Sequence, residues 1–132
     1  MNKRGWFIPV LIVAINLVAV LVRWSSLPEL LPAHFDLQGN ASGLMSRNGL
    51  LLYPLIGAAV DAVAYVIGRI KTVLNTGLII LASGICLILL SSTMVSLTSG
   101  TMPFFMLAEP VILLCSVLAS IVCVVRSRKN NR

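Results

Sequence analysis

Only four carboxylates, Glu29, Asp36, Asp61 and Glu109, and a single histidine, His34, occur in the 132 residues. With no second imidazole, histidine-based catalytic pairs and metal cages are excluded, and the chain has no His-Glu-x-x-His, no Gly-x-Ser-x-Gly and no glycine-rich phosphate loop. Its three cysteines, Cys86, Cys115 and Cys123, are odd in number, lack Cys-x-x-Cys spacing and fall in apolar runs, where they read as small packing residues. Neither a nucleophile with its base nor a full ligand set can be assembled, so the reading is non-enzymatic, with no metal and no cofactor.

Apolar residues fill the space that charge leaves. With 58% hydrophobic and 11% charged residues, and a mean hydropathy of +1.01, the composition lies far outside the soluble range. The expected architecture is an all-α integral membrane protein, a four-transmembrane-helix bundle forming one membrane domain over residues 1–132. Four apolar runs, residues 6–22, 50–67, 77–97 and 104–125, approach the roughly 20 residues a span needs. They are too long and continuous for barrel strands, so the backbone must satisfy itself as helices in lipid. The first run follows Lys3 and Arg4 but ends in Leu-Val-Arg-Trp without a small-residue cleavage site, so it reads as a retained anchor.

Orientation follows from the basic residues. Lys3, Arg4, Arg69, Lys71, Arg126, Arg128, Lys129 and Arg132 fall on one side of the four-span arrangement, with Arg23 and Arg47 on the other, which predicts cytoplasmic termini and a multi-pass protein of a bacterial-type plasma membrane. The net charge of +6 then serves to orient the chain and to meet anionic headgroups of the lipid bilayer, and nucleic acid is not an expected partner.

Polar residues inside the spans carry the remaining information, because ionisable groups in hydrocarbon are costly and face a partner or water. At about 1.5 Å per residue, Asn16 and Asp61 fall at similar depths, about 15 and 14 Å from the inner surface, which predicts a hydrogen bond between the first two helices. Glu109 and Arg23, about 22 and 25 Å up, are expected near the outer surface within reach of each other. Small residues at spacing four in the second helix, Gly57 with Asp61, Ala58 with Ala62 and Ala64 with Gly68, predict close helix approach within the bundle or in a homo-oligomer. Pro110 is expected to kink the fourth helix.

One polar island interrupts the apolar chain, Ser-Leu-Pro-Glu-Leu-Leu-Pro-Ala-His-Phe-Asp-Leu-Gln-Gly-Asn-Ala-Ser-Gly-Leu-Met-Ser-Arg over residues 26–47. Ser26 and Glu29 have capping-box spacing, which predicts a short helical turn limited by Pro32. Leu27, Leu30, Leu31, Phe35 and Leu37 make the segment amphipathic, as suits an outward loop on the headgroup layer, with Trp24 as interfacial anchor and turns at Gly39 and Gly43.

The order and spacing of Leu27, Pro28, Pro32, His34, Phe35, Asp36, Gly39, Gly43, Ser46 and Arg47 resemble the domain of unknown function 1648, also found at the N-terminus of SdpI-like immunity proteins. The resemblance covers residues of about 10–60. Two positions depart from the family pattern: Ser42 stands where an acidic residue is usual before glycine, and Arg47 where lysine is commoner. With that acid missing, His34 and Asp36 are two good ligands where a closed metal site wants about four, so no metal is assigned.

The resemblance implies a small immunity or sensor protein, whose loop over residues 24–49 meets an extracellular peptide toxin through Phe35 and the leucines. In that role His34, with an ordinary imidazole pKa near 6.5, makes the contact pH-sensitive. A second reading is a small transporter, or the accessory subunit of one, that uses Asp61 and Glu109. An enzyme is the third and least supported reading, and beside all three stands a structural role for the island, in which His34 and Asp36 stitch the loop against the helix ends.

Overall fold

The computed structural model describes residues 4–36, 38, 40–98 and 103–130. Four helices carry the fold: α1 (Phe7–Arg23), α2 (Leu52–Ile70), α3 (Asn75–Leu97) and α4 (Pro103–Asn130). Between α1 and α2 lie two antiparallel strands, β1 (Leu30–Phe35) and β2 (Ala41–Ser46). All four helices, with their flanking 3-10 turns, are long and apolar enough to cross a membrane, and together they have the build of a multi-pass membrane protein. Each apolar run becomes helical because an isolated backbone in hydrocarbon has only its own carbonyls to bond.

The ends have local causes. Pro54 sits in the first turn of α2, where a helix needs no donor. Ile70 ends that helix, Lys71 N–H bonds the Ile67 carbonyl at 2.8 Å, and Leu74 N–H bonds the Lys71 carbonyl at 2.9 Å. So tight a turn makes α2 and α3 antiparallel neighbours. Helix α4 runs on through Pro110, which has no N–H to give to the carbonyl four residues back.

Helix α3 is the axis of the bundle, packed against α1, α2 and α4. Its sequence is apolar or small all round, as a helix with neighbours on several sides requires, and its buried residues run from Asn75 through Ala82, Gly84 and Cys86 to Thr93 and Ser96. Two of its hydroxyls return to the helix itself: Ser83 donates to the Ile79 carbonyl at 2.8 Å and Thr93 to the Leu89 carbonyl at 2.9 Å, a usual way to keep such groups satisfied away from water. Helix α4 packs on α3 through Gly84, where an added Cβ would overlap Ser116, and through Gly77, where it would come within 2.8 Å of Val124 and 3.1 Å of the Ser120 hydroxyl. Small residues here permit backbone approach without a large apolar interface.

Two apolar clusters close the opposite ends of the α1–α2–α3 wedge. At one end Trp6, Ala64, Ile79 and Ala82 are buried together, and the Trp6 indole N–H donates to Asn75 Oδ1 at 2.9 Å. Tyr65 meets the Trp6 ring edge-on, with centroids 5.3 Å apart, a favoured aromatic geometry. At the other end Val20, Leu27, Leu31 and Leu50 form the second cluster, with Trp24, Met45 and Leu97 packed on it. Basic residues are divided accordingly: Arg69 and Lys71 stand at the α2–α3 turn and Arg128 and Lys129 in the last turn of α4 beside it, while Arg23 and Arg47 stand at the hairpin end.

Candidate functional site

Residues 26–47 do not begin with the helical turn that the Ser26 and Glu29 spacing predicts. The Ser26 hydroxyl instead donates back to the Arg23 carbonyl at 2.9 Å, finishing a 3-10 turn over Trp24–Ser26. Pro28 and Pro32 flank the following residues and deny a helix the donors it needs, and the chain pairs as a hairpin. Leu30 lies opposite Ser46, Leu31 opposite Met45 and Pro32 opposite Leu44; then the register slips, His34 facing Gly43 and Phe35 facing Ala41. Ala33 on one strand and Ser42 on the other are the residues passed over, and such irregularities bend and twist a ladder. Pro32 is tolerated because a lone hairpin has two free edges.

Strand alternation sorts the side chains. Leu31 is only 1% exposed, seated in the apolar cluster at the bundle end, whereas Leu30 is 60% and Leu44 66% exposed on the opposite face. The base of the hairpin is tied where Arg47 N–H donates to the Glu29 carbonyl at 2.8 Å. Arg47 then lays its guanidinium over the Trp24 ring, 5.0 Å from the centroid, a cation–π stack that joins the two ends of the island. Arg47 Nε is buried without a hydrogen-bond partner. Arg47, Ser46, Asn48 and Glu29 border a shallow depression of about 240 Å³ beside this stack.

Asp36 closes the hairpin. Its Oδ1 accepts from the backbone N–H of Gln38 at 2.9 Å and of Asn40 at 2.8 Å, while Oδ2 accepts from the Asn40 side-chain amide at 3.2 Å. Asp36 N–H in turn donates to the Asn40 carbonyl at 2.9 Å. This is the work of an aspartate in an Asx-type turn, where a short carboxylate substitutes for the partners the reversing backbone lacks. The expectations placed on the side chains of His34 and Phe35, and on Leu37 and Gly39, lie outside the described residues. Gly43 stands at the register slip opposite His34, and Ser46 precedes the 3-10 turn over Arg47–Leu51.

The intramembrane pairs are not the expected ones. Asn16 and Asp61 are both buried, 2% and 6% exposed, but they do not bond each other: Asp61 Oδ1 accepts from the Cys86 thiol of α3 at 3.4 Å, while Asp61 Oδ2 and Asn16 Oδ1 have no hydrogen-bond partner. The reason is helix register. Trp6 is level with Tyr65, and Val13 would touch a Cβ on Gly57 at 3.0 Å, so Asn16 lies on one side of that crossing and Asp61 on the other, offset along the axis by about 10 Å. Equal depth counted from the ends of the apolar runs had hidden this offset.

Glu109 and Arg23 do not pair either. Glu109 Oε1 accepts from the Ser92 hydroxyl at 2.8 Å, because α4 packs on α3 and its carboxylate turns toward that helix. Sequence reasoning missed both α3 partners: a thiol is a weak donor easily read as packing, and Ser92 is one of three consecutive hydroxyl residues with nothing to single it out. The small residues of α2 divide into two sets. Gly57, Asp61, Ala64 and Gly68 form its buried stripe, while Ala58 and Ala62 are exposed.

Residues 11–58 match the domain of unknown function DUF1648. The match takes in most of α1, the hairpin and the start of α2, and it bears out the resemblance read from residues 27–47. No curated protein and no solved structure matches the chain.

Proposed function

We propose that this DUF1648 protein is a non-enzymatic, multi-pass protein of a bacterial plasma membrane whose hairpin, turned outward, receives an amphipathic peptide toxin and serves in immunity or sensing. The observation that carries the reading is the outer face of the hairpin. Leu30 and Leu44, 60% and 66% exposed, are diagonal neighbours on a platform held rigid by buried Leu31, by the Asp36 turn and by the Arg47 to Trp24 stack. A pinned apolar face beside two open strand edges suits an amphipathic strand or helix, which gains main-chain bonds from an edge and side-chain burial from the leucines. Basic residues concentrated at the opposite end of the bundle support cytoplasmic termini, and the class of ligand is suggested by the resemblance of residues 27–47 to a domain also found in SdpI-like immunity proteins.

The test is survival of cells challenged with membrane-active peptide toxins, comparing the intact protein with the Leu30→Ser/Leu44→Ser double variant and with His34→Ala, with membrane abundance measured in parallel. Protection lost at equal abundance is the expected result. Protection retained by the double variant, or no protection by the intact protein against any toxin, overturns the proposal. A transporter using both Asp61 and Glu109 has less support, because their α3 partners Cys86 and Ser92 are six residues apart, which separates them by about 120° around α3 and about 9 Å along it.

A further inference from the structure

The base of the hairpin sets opposite charges face to face and keeps them apart. Leu30 pairs with Ser46, so Glu29 and Arg47 stand opposite each other one step further out, and the 2.8 Å bond from Arg47 N–H to the Glu29 carbonyl fixes that register. Side chains directly across an antiparallel pair share one face, where a carboxylate and a guanidinium ordinarily attract each other into contact. Here they do not meet. Arg47 turns its guanidinium over the Trp24 ring, 5.0 Å from the centroid, and neither Glu29 nor Arg47 makes an ion pair or a side-chain hydrogen bond among the described residues. Arg47 Nε is shut in, the terminal nitrogens are not, and Glu29 is exposed. Both residues line the depression of about 240 Å³, together with Ser46 and Asn48.

The depression stands at headgroup level. Ser26 closes the first membrane-length helical segment and Arg47 opens the second, Arg47–Ile70, so it lies where hydrocarbon gives way to water, beside Trp24, a residue type that favours that boundary. Counting on from Asn48 at helical spacing, Leu52, Leu55 and Ile56 are exposed on α2, an apolar track that leads from the depression into the span. We propose that the depression binds the headgroup of a phospholipid carrying both a phosphate and a primary ammonium, a phosphatidylethanolamine, whose acyl chains follow that track. The phosphate accepts from the terminal N–H groups of Arg47 and the ammonium donates to the Glu29 carboxylate, both charge-assisted bonds. The two-carbon link between phosphate and ammonium bridges the charges that the Trp24 stack holds apart. A purely anionic headgroup would satisfy Arg47 but set like charge against Glu29, and the trimethylammonium of phosphatidylcholine has no N–H to donate. The site is independent of the toxin-recognition reading, since Leu30 and Leu44 lie on the opposite face of the hairpin.

Binding is tested on the full chain in a non-ionic detergent by native mass spectrometry, which counts the dioleoyl-phosphatidylethanolamine, dioleoyl-phosphatidylcholine or dioleoyl-phosphatidylglycerol retained per chain. One phosphatidylethanolamine per chain is expected, held about tenfold tighter than either companion. Glu29→Gln lowers its affinity to that of phosphatidylcholine, and Glu29→Lys shifts the preference to phosphatidylglycerol; the Glu29 side chain has no partner to lose, so both variants keep the fold. Arg47→Gln weakens all three lipids, and Leu44→Ser, on the opposite face, changes none. Equal retention of the three lipids by the intact chain, or a phosphatidylethanolamine preference that survives Glu29→Gln, overturns the proposal. So does displacement of the lipid by water-soluble glycerophosphoethanolamine at equal concentration, because the site then takes a free phosphate ester and not a lipid.

Discussion

Replacing Asp36 separates a turn-building carboxylate from a ligand-binding one. Asp36→Ala removes three acceptor contacts, to Gln38 N–H, Asn40 N–H and the Asn40 amide. Hydrogen bonds to a charged acceptor contribute about 1.5–3 kcal/mol each when shielded, and less at a partly exposed turn. Because the three share one carboxylate and the freed N–H groups regain water, a loss of about 2 kcal/mol in hairpin closure is the reasonable sum. That is a roughly thirtyfold rise in the open fraction. Hydrogen exchange of the peptide spanning residues 30–46 in detergent is expected to quicken by about that factor, while α1, α2 and α3 exchange as before. Asp36→Asn keeps an oxygen for the two backbone N–H groups and gives up the contact with the Asn40 amide, so about 1 kcal/mol, a roughly fivefold change, is expected. Exchange in Asp36→Ala equal to that of the intact protein would refute the turn assignment, as would an Asp36→Asn variant as open as Asp36→Ala. Run beside the toxin assay, the pair is also diagnostic of function: protection kept by Asp36→Asn and lost by Asp36→Ala ties protection to the hairpin's shape, whereas protection lost in Asp36→Asn while its hairpin stays the more closed of the two makes the charge itself a toxin contact.

Two further substitutions probe the bundle. Gly84→Leu drives a branched side chain into Ser116, so α4 is expected to separate from α3 and stability to fall by about 1–3 kcal/mol or more, read as a lower midpoint in denaturing-detergent titration; an unchanged midpoint would mean that α4 does not pack on this face. Gly68→Ala sets a methyl group 2.9 Å from Asn75 Oδ1 and 3.2 Å from the Trp6 ring, and the expected result is loss of the Trp6 to Asn75 bond, about 1 kcal/mol, with a shift of Trp6 emission measured in a Trp24→Phe background; emission identical to the parent's would show that the contact does not form.

The spans were legible because hydropathy over some twenty residues is a strong signal in a chain with so few charges: the helices begin and end within a few residues of the apolar runs. The hairpin was not, and the reason is local. Leu30, Leu31, Pro32 and Ala33 have weak strand preference, the leucines also satisfy an amphipathic helix, and Ser26 with Glu29 copies a capping box by spacing alone. What decides for strands is tertiary: Leu31 and Met45 share one face against Val20, Leu27 and Leu50, and Asp36 holds the reversal between them. Polar pairs inside the bundle were misassigned for a different reason. Depth along each helix is countable from sequence, but the register and the facing side are not, and both Asp61 and Glu109 turned to α3.

The buried stripe of α2 then poses its own question, because Gly57, Ala64 and Gly68 are small residues at which another helix comes close, and the fourth member is a carboxylic acid. At Gly57 the α1 side chain of Val13 comes within 3.0 Å of where a Cβ would stand, leaving no room for a larger residue. One turn later Asp61 takes the place of another small residue, and there α1 and α2 part around the groove that Ala58 and Ala62 flank. An acid of that size is tolerated on a packing stripe only where a neighbour leaves space and supplies a donor. Cys86 supplies one donor, to one oxygen. A purely structural residue at this position would be served better by alanine, which needs neither, since a buried acceptor left unmatched costs about 1–3 kcal/mol. Cost at Asp61, borne on the packing stripe itself, sets this position apart from its small neighbours and from the hairpin at the other end of the wedge.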